Sequence, residues 1–517
     1  MRGVRAGVAW VAAVVLGSGA AGCSLVSPGD DDQGPISVGT TDTVTTLDPA
    51  GAYDAGSWAL FSNLYQSLLT YTPGTGTPVP DAASRCGFRG GDLRTFECEL
   101  REGLTFANGR EVTAEDVKFS FDRVKRIKSP QGPQSLLDTL RSVTTEDRTI
   151  TFQLAVPDAT FPFKIATGAG AIVDSKRYPA DRLRTGTEAD GSGPYRLESY
   201  RPKAVAELRP SKSYRGAVQH KGGAVTVRYY RDSAAMSRAW KQRSIDVAGR
   251  LMPPADIAGH SLSDTGVKLM ESTGAETRSL FFNLRDGSPF AQQPVRQAVA
   301  AVIDREALAR DVHRRTVEPL YSLIPQGLTG HSTAFFDLHP QPDPEAARAL
   351  LRRAGITTPV RFTIAFSQGA ATQEEAALLK KQLEATGLFE VATQYVEWTE
   401  FQKGYAAGAY DAYCVGWLAD FPDPDNFTAP LVGRTSSFSS GYDNPRVEKL
   451  IQATQGSSQR SHVTKDFRAI QEIIARDVPV VPLWQKKDYV LSSSSVSGTQ
   501  YLSDGTGLWR LWELGRI

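Results

Sequence analysis

Histidine and cysteine are scarce in this chain, six and four among 517 residues, and neither sign of charge prevails, with 58 Lys and Arg against 57 Asp and Glu. The even balance gives a polyanion nothing to bind, so no nucleic-acid partner is expected. The histidines (His220, His260, His313, His331, His339, His462) are scattered, without the spacing that places metal ligands on one helix face, and no H-E-x-x-H occurs. There is no G-x-S-x-G nucleophile elbow and no P-loop. The acidic stretch Asp423-Pro-Asp425 begins like a calcium loop, but the sixth and twelfth places carry Thr428 and Arg434 where Gly and Glu are needed. Asp420, Asp423 and Asp425 crowd one loop, a poor match for two carboxylates on opposite sides of a sugar. These absences argue against an enzyme, and no metal or cofactor is expected.

Long apolar runs are missing too. The run Val8 to Leu16 has nine residues, against roughly 20 for a membrane-spanning helix. Preceded by Arg2 and Arg5 and followed by small residues, it reads as an export signal over residues 1–22. Ala20-Ala21-Gly22-Cys23 resembles a bacterial lipobox, which makes Cys23 the expected site of acylation and of attachment to the outer face of the cell membrane. Residues 23–35, with three consecutive Asp and flanking Pro and Gly, read as a flexible tether. In an exported chain the remaining cysteines become informative. Cys86 and Cys98 flank Gly90-Gly91-Asp92 as two facing positions of a hairpin would, and a disulfide between them is expected. Cys414 is left over and reads as a small buried hydrophobe.

What is present is a mixed pattern. Thr113 with Asp116 three residues on forms a capping box ahead of the apolar stripe Ala114, Val117, Phe121 and Val124. Leu104–Phe106 reads as a strand ending in the Asn108-Gly109 turn, and further strands are expected at Thr149–Leu154, Tyr195–Tyr200, Val205–Arg209 and Val225–Tyr230. Later, a helix opened by Pro294, another opened by Asp343-Pro344, and the order strand Val360–Phe366, helix Gln373–Thr386, strand Val391–Val396 make a second α/β half. The expected fold is α/β with two lobes and a ligand cleft between them.

The most informative stretch is Tyr410 to Phe427, where an aromatic, β-prone run (Tyr410, Tyr413, Val415, Trp417) breaks into a loop holding Asp420, Asp423 and Asp425. Pro422 and Pro424 fix φ and remove two donors, so a strand ends before them. Carboxylates beside aromatics at the end of a rigid element suit a cationic ligand or one bearing an ammonium group.

Several segments together resemble the family 5 solute-binding proteins of ABC importers. They are Thr46-Leu-Asp-Pro49, Asn63-Leu-Tyr-Gln-Ser-Leu-Leu69, the run Thr95 to Val117 with its "LR.G..F.NG" and "TAEDV" pieces, Gly191-Ser-Gly-Pro-Tyr195, Phe282-Asn283, Pro294-Val-Arg-Gln-Ala298, Ile303-Asp-Arg305, and Gly416-Trp417 with Asp420-Phe-Pro-Asp-Pro424. They occur in the family's order from about Ile36 to Trp484. The resemblance implies a two-lobed periplasmic-binding-protein-like fold: residues 36–278 as the first lobe with an extra subdomain, 279–486 as the second, and 487–517 returning to the first. It implies a monomer that binds a peptide or peptide-like solute and delivers it to the permease subunits of an ABC transporter. A metal chelate, an opine or an oligosaccharide is the alternative cargo, and an exported hydrolase or a signalling lipoprotein the alternative class. It assigns Asp420 to the peptide's α-ammonium, with Trp417, Gly416 and Trp398 beside the ligand, while Asp423 and Asp425 are expected to stabilise the turn. Oligopeptide binders often carry Arg where this chain has Cys414, so the contact for a ligand carboxylate is left open.

Overall fold

Two long strands, Val267–Phe282 and Val480–Ser493, run antiparallel through the length of the molecule and belong to both lobes. The computed structural model describes residues 34–517 apart from 251, 261–264, 368, 370 and 504; the proposed signal, Cys23 and most of the tether lie outside the described residues. One sheet extends outward from this pair in both directions. On one side follow Val247–Gly249, Ile36–Thr40, Val225–Tyr229, Val205–Pro210 and Tyr195–Arg201. On the other follow Ala412–Leu418, Val360–Ser367 and Phe389–Val396, the last two parallel and joined by the helix Thr372–Glu384.

The pairing of the two long strands is interrupted where they pass between lobes. It runs in register from Val267↔Ser493 to Thr273↔Lys487, resumes at Thr277↔Gln485, and shifts again after Arg278↔Trp484 to Ser279↔Pro482. Pro482 has no N–H for the ladder, which accounts for the second shift. At the first, a Cβ on Gly274 would lie 2.4 Å from the Lys486 carbonyl oxygen, so only glycine admits so close an approach. The Gln485 amide secures the gap, donating to the Gly274 carbonyl at 2.7 Å and accepting the Gln326 N–H at 2.7 Å.

Each lobe has its own apolar core. The first joins residues between Ile36 and Val247 to the C-terminal stretch Val490–Leu514; the second draws on Leu280 to Trp484. The first lobe carries a separate antiparallel sheet in the order Ala83–Phe88, Thr95–Leu100, Thr149–Leu154, Leu140–Glu146. Against it packs the helix Ala114–Ile127, whose N-terminus is closed by the reciprocal Thr113 and Asp116 bonds. Cys86 and Cys98 face each other across the first two strands and are bonded, with Cα atoms 4.1 Å apart. Leu104–Phe106 does not form the expected strand. Only the isolated bridge Thr105↔Glu111 exists, because the chain turns back at once through Gly109 at φ +87°.

The recurrent motifs of the first lobe do structural work. Asp48 of Thr46-Leu-Asp-Pro49 receives both terminal nitrogens of Arg123 at 2.6 Å and the Arg184 N–H at 2.6 Å, fully buried. Asn63 caps no helix; its amide donates to the carbonyls of Ala59 and Trp509, both at 2.8 Å, and so fastens the C-terminal segment to the helix Ala55–Leu64.

Candidate functional site

The strand Ala412–Leu418 leads to the site. Its inner half is central: Ala412 to Cys414 pair with Phe282 to Leu280 on one edge and with Ile364 to Phe366 on the other. Beyond Cys414 the neighbouring strand turns away to stay with Phe389–Val396, so Val415 to Leu418 keep a partner only along the edge toward Ser279–Glu276. Their other backbone edge is unpaired among the described residues.

After Leu418 the chain enters the acidic loop, and one side chain organises it. Asn426 accepts the Asp420 N–H at 2.9 Å and the Trp417 indole N–H at 3.2 Å through Oδ1, and donates from Nδ2 to Asp420 Oδ2 at 2.9 Å. Asp423 begins the turn Pro424–Phe427 by accepting the Asp425 N–H at 2.9 Å. Arg460 bonds both carboxylates, Asp423 at 2.7 Å and also Asp425, and Thr454 donates to Asp425 at 2.6 Å. Arg460 thus ties Asp423 and Asp425 together and holds the loop's shape, one guanidinium set against two carboxylates, and burial still pushes the Asp425 pKa up to about 6. Asp420 has no such cationic partner among the described residues.

Asp420 is buried at the boundary between the lobes, and its Oδ2 also accepts the hydroxyl of Tyr53, from the first lobe, at 2.8 Å. No hydrogen bond reaches Oδ1, and no cation pairs with the carboxylate among the described residues. A cationic pull on it comes from Lys164, whose ammonium is held by Asp158 at 2.8 Å. Loss of hydration is the largest effect on Asp420 and pushes its pKa up to about 6 against the pull of Asn426, Tyr53 and Lys164. The same burial, with Asp420 adjacent, raises the Tyr53 phenol well above its usual value.

Asp420 and Trp417 line a cavity of about 710 Å³. Its walls come from Leu136, Thr139 and Lys164 in the first lobe and from Ala429, Arg434 and Gln452 in the second. Around its rim the lobes touch: Phe421 leaves its own lobe to pack on Phe163 with ring centroids 6.0 Å apart, and the Ala159 N–H donates to the Gln455 carbonyl at 2.7 Å.

Trp398 and Gly416 lie elsewhere. Both line a second cavity of about 790 Å³, on the opposite face of the strand end, with Arg278, Glu375, Trp484 and Lys486. Trp398 starts the helix Trp398–Ala407, capped by Glu397, and is 47 % exposed. The structure therefore places Asp420 and Trp417 on one cavity and Trp398 and Gly416 on the other. Tyr53, Asn426 and Arg278 were not singled out by sequence reasoning. Asn426 carried a weak signal, an Asn within a proline-rigid acidic turn, whereas Tyr53 lies 367 residues from its partner and carried none.

Comparison with known proteins matches this architecture. The probable D,D-dipeptide-binding periplasmic protein DdpA of Escherichia coli is 26% identical over 472 residues, covering 88% of this chain and 89% of that one. The dipeptide-binding protein of the same organism is 26% identical over 468 residues, covering 83% and 84%. Among solved structures, the periplasmic binding protein DppA of Helicobacter pylori in complex with the peptide STSA superposes with a TM-score of 0.79 at 20% identity, covering 93% of this chain and 98% of that one. The dipeptide-binding protein of a Pseudoalteromonas species in complex with Met-Leu gives 0.79 at 20%, covering 94% and 100%. The family model for bacterial extracellular solute-binding proteins, family 5, matches residues 77–439. With most of its length inside that match and its two lobes arranged as in those structures, the chain belongs to the family 5 extracellular solute-binding proteins of ABC importers.

Proposed function

We propose that this protein captures a short peptide, or a peptide-like solute with a free ammonium group, between its lobes and delivers it to the permease of an ABC importer. The observation that carries this reading is Asp420, a buried carboxylate that lines an interlobe cavity with one oxygen unbonded and no cation paired with it among the described residues. Such a group is costly alone and becomes favourable when an ammonium meets it in a site of low dielectric. The unpaired edge of Val415–Leu418 offers backbone donors and acceptors to an extended chain, a mode of recognition that is indifferent to side-chain identity. Trp417, steadied by Asn426, supplies an apolar wall on the ammonium side, and Gly416 leaves room for close backbone approach. Trp398 covers the far side, where a longer solute would extend. The relatives named for dipeptide binding agree with such a cargo.

In this reading the work is conformational. The solute favours the closed arrangement because it touches both lobes, and the interrupted pairing around Gly274 and Lys486 serves as the hinge between residues 36–278 and 279–486, with 487–517 returning to the first lobe. Acylation at Cys23 would hold the receptor, as a monomer, on the outer face of the cell membrane. Native mass spectrometry of the purified protein tests the cargo. Co-purifying peptides are the expected result, and a sugar or metal chelate in their place would overturn it.

A further inference from the structure

We propose that Arg278 is the contact for a carboxylate of the bound solute, which gives the site opposite charges at its two ends. The proposal rests on the peptide reading above and names its second anchor. Arg278 sits on the crossing strand Val267–Phe282, directly opposite Gly416, and lines the cavity that Trp398 and Gly416 share. Its side chain is 11% exposed. Only Nε is engaged, donating to Glu375 Oε1 at 2.9 Å. Nη1 and Nη2 make no hydrogen bond among the described residues, and neither is among the buried polar atoms left without a partner, so both reach the cavity.

Glu375 is better suited to aim the guanidinium than to consume it. Its other oxygen, Oε2, faces the Trp484 indole N–H at 2.7 Å and His313 Nε2 at 3.1 Å. With those contacts Glu375 is fixed in place and stays ionised, its pKa lowered to about 2, where the surrounding donors outweigh burial, the largest single effect and one that opposes them. A purely structural Arg–carboxylate pair would be expected to close as a two-point fork; this one spends a single N–H and leaves the fork's outer edge free for a planar anion. The other Arg and Lys side chains that line the cavity each have a carboxylate partner: Arg231 with Asp232 at 2.9 Å, Arg250 with Asp42 at 3.5 Å, Lys486 with Glu276 at 3.1 Å, and Lys487 with Glu318 at 2.8 Å and Glu271 at 3.1 Å.

Length fits as well. Gly416, opposite Arg278, is four residues from Asp420, at most about 14 Å of extended chain. A peptide of two to four residues lying along the unpaired strand edge would present its ammonium to Asp420 and a carboxylate to Arg278. That carboxylate is either the C-terminus or an acidic side chain.

Thermal melts of the purified protein against tripeptide pools decide the matter, read as the concentration that gives half the maximal shift. The pools are mixed tripeptides with free C-termini, the same mixture amidated, and amidated tripeptides ending in glutamate. The free-acid pool is expected to bind about 10- to 100-fold more tightly than the plain amide pool. Arg278→Gln should abolish that difference, and so should Arg278→Gln combined with Glu375→Gln, a neutral pair that keeps the variant folded if the lone glutamate does not. Binding of the glutamate amides by the parent protein, lost on Arg278→Gln, would support the proposal with the side chain as the source. Equal binding of acid and amide by the parent protein, or a difference that survives both variants, overturns the Arg278 contact while peptide capture stands. No response to any pool overturns both.

Discussion

An ammonium that binds Asp420 must compete with a proton, and this competition gives the account a quantitative signature. With its pKa raised to about 6, Asp420 is almost fully ionised at pH 7.5 and mostly protonated at pH 5. If only the carboxylate form binds, affinity falls by a factor of one plus ten to the power of the pKa minus the pH, about 11-fold at pH 5, or about 1.4 kcal/mol. Binding then expels about half a proton at pH 6 and about nine-tenths at pH 5, and takes up about half a proton at pH 8, where the free peptide amine is half deprotonated. The peptide amine titrates near pH 8, so affinity should fall again on the alkaline side, giving a plateau between roughly pH 6.5 and 7.5. Isothermal titration with one bound peptide, in buffers of different ionisation enthalpy, measures affinity and proton release together. Flat affinity from pH 5 to 7.5, with no proton release at pH 5.5, would refute the pairing of Asp420 with an ammonium.

Three further outcomes follow from the geometry. Phe421→Ala removes the ring that crosses into the first-lobe core against Phe163. The unliganded protein should become more open by small-angle scattering and bind peptide several-fold more weakly, and an unchanged radius of gyration would count against this contact as a latch. Arg123→Met strands the buried Asp48 carboxylate and should cost about 3–5 kcal/mol of stability, read as a lower chemical-denaturation midpoint; a midpoint within error of the parent would show that the pair is dispensable. Replacing Cys86 and Cys98 together by serine should cost about 3 kcal/mol in the chain-entropy view and leave peptide affinity unchanged, because the hairpin lies outside both cavities. Altered affinity would tie this subdomain to the site.

The local grammar of the chain was readable where physics acts over a few residues. The capping box of Thr113 and Asp116, the proline-opened helices and the Gly90-Gly91 hairpin each depend on neighbours in sequence, and the structure has them. The strand expected at Leu104–Phe106 is absent because the Gly109 turn leaves too few residues to pair. The acidic loop shows the limit most clearly. Three aspartates of one loop look alike in sequence, and what separates them is Arg460, 35 residues beyond Asp425, and Tyr53, 367 residues before Asp420. Trp398 and Trp417 were both expected beside the ligand, and what the sequence could not show is that strand alternation turns Trp417 to one cavity while Gly416 opens on the other with Trp398. Arg278 could not be nominated at all, since its proximity to Gly416 depends on the register between strands far apart in the chain.

The most direct test of the central claim is calorimetric titration of the parent protein and Asp420→Asn with one tripeptide and its N-acetyl form. The account predicts that acetylation weakens binding to the parent by about 2–5 kcal/mol, and that Asp420→Asn weakens the free peptide by a similar amount while scarcely affecting the acetylated one. Unchanged affinity of Asp420→Asn for the free peptide, or tight binding of the acetylated form by the parent, would contradict it.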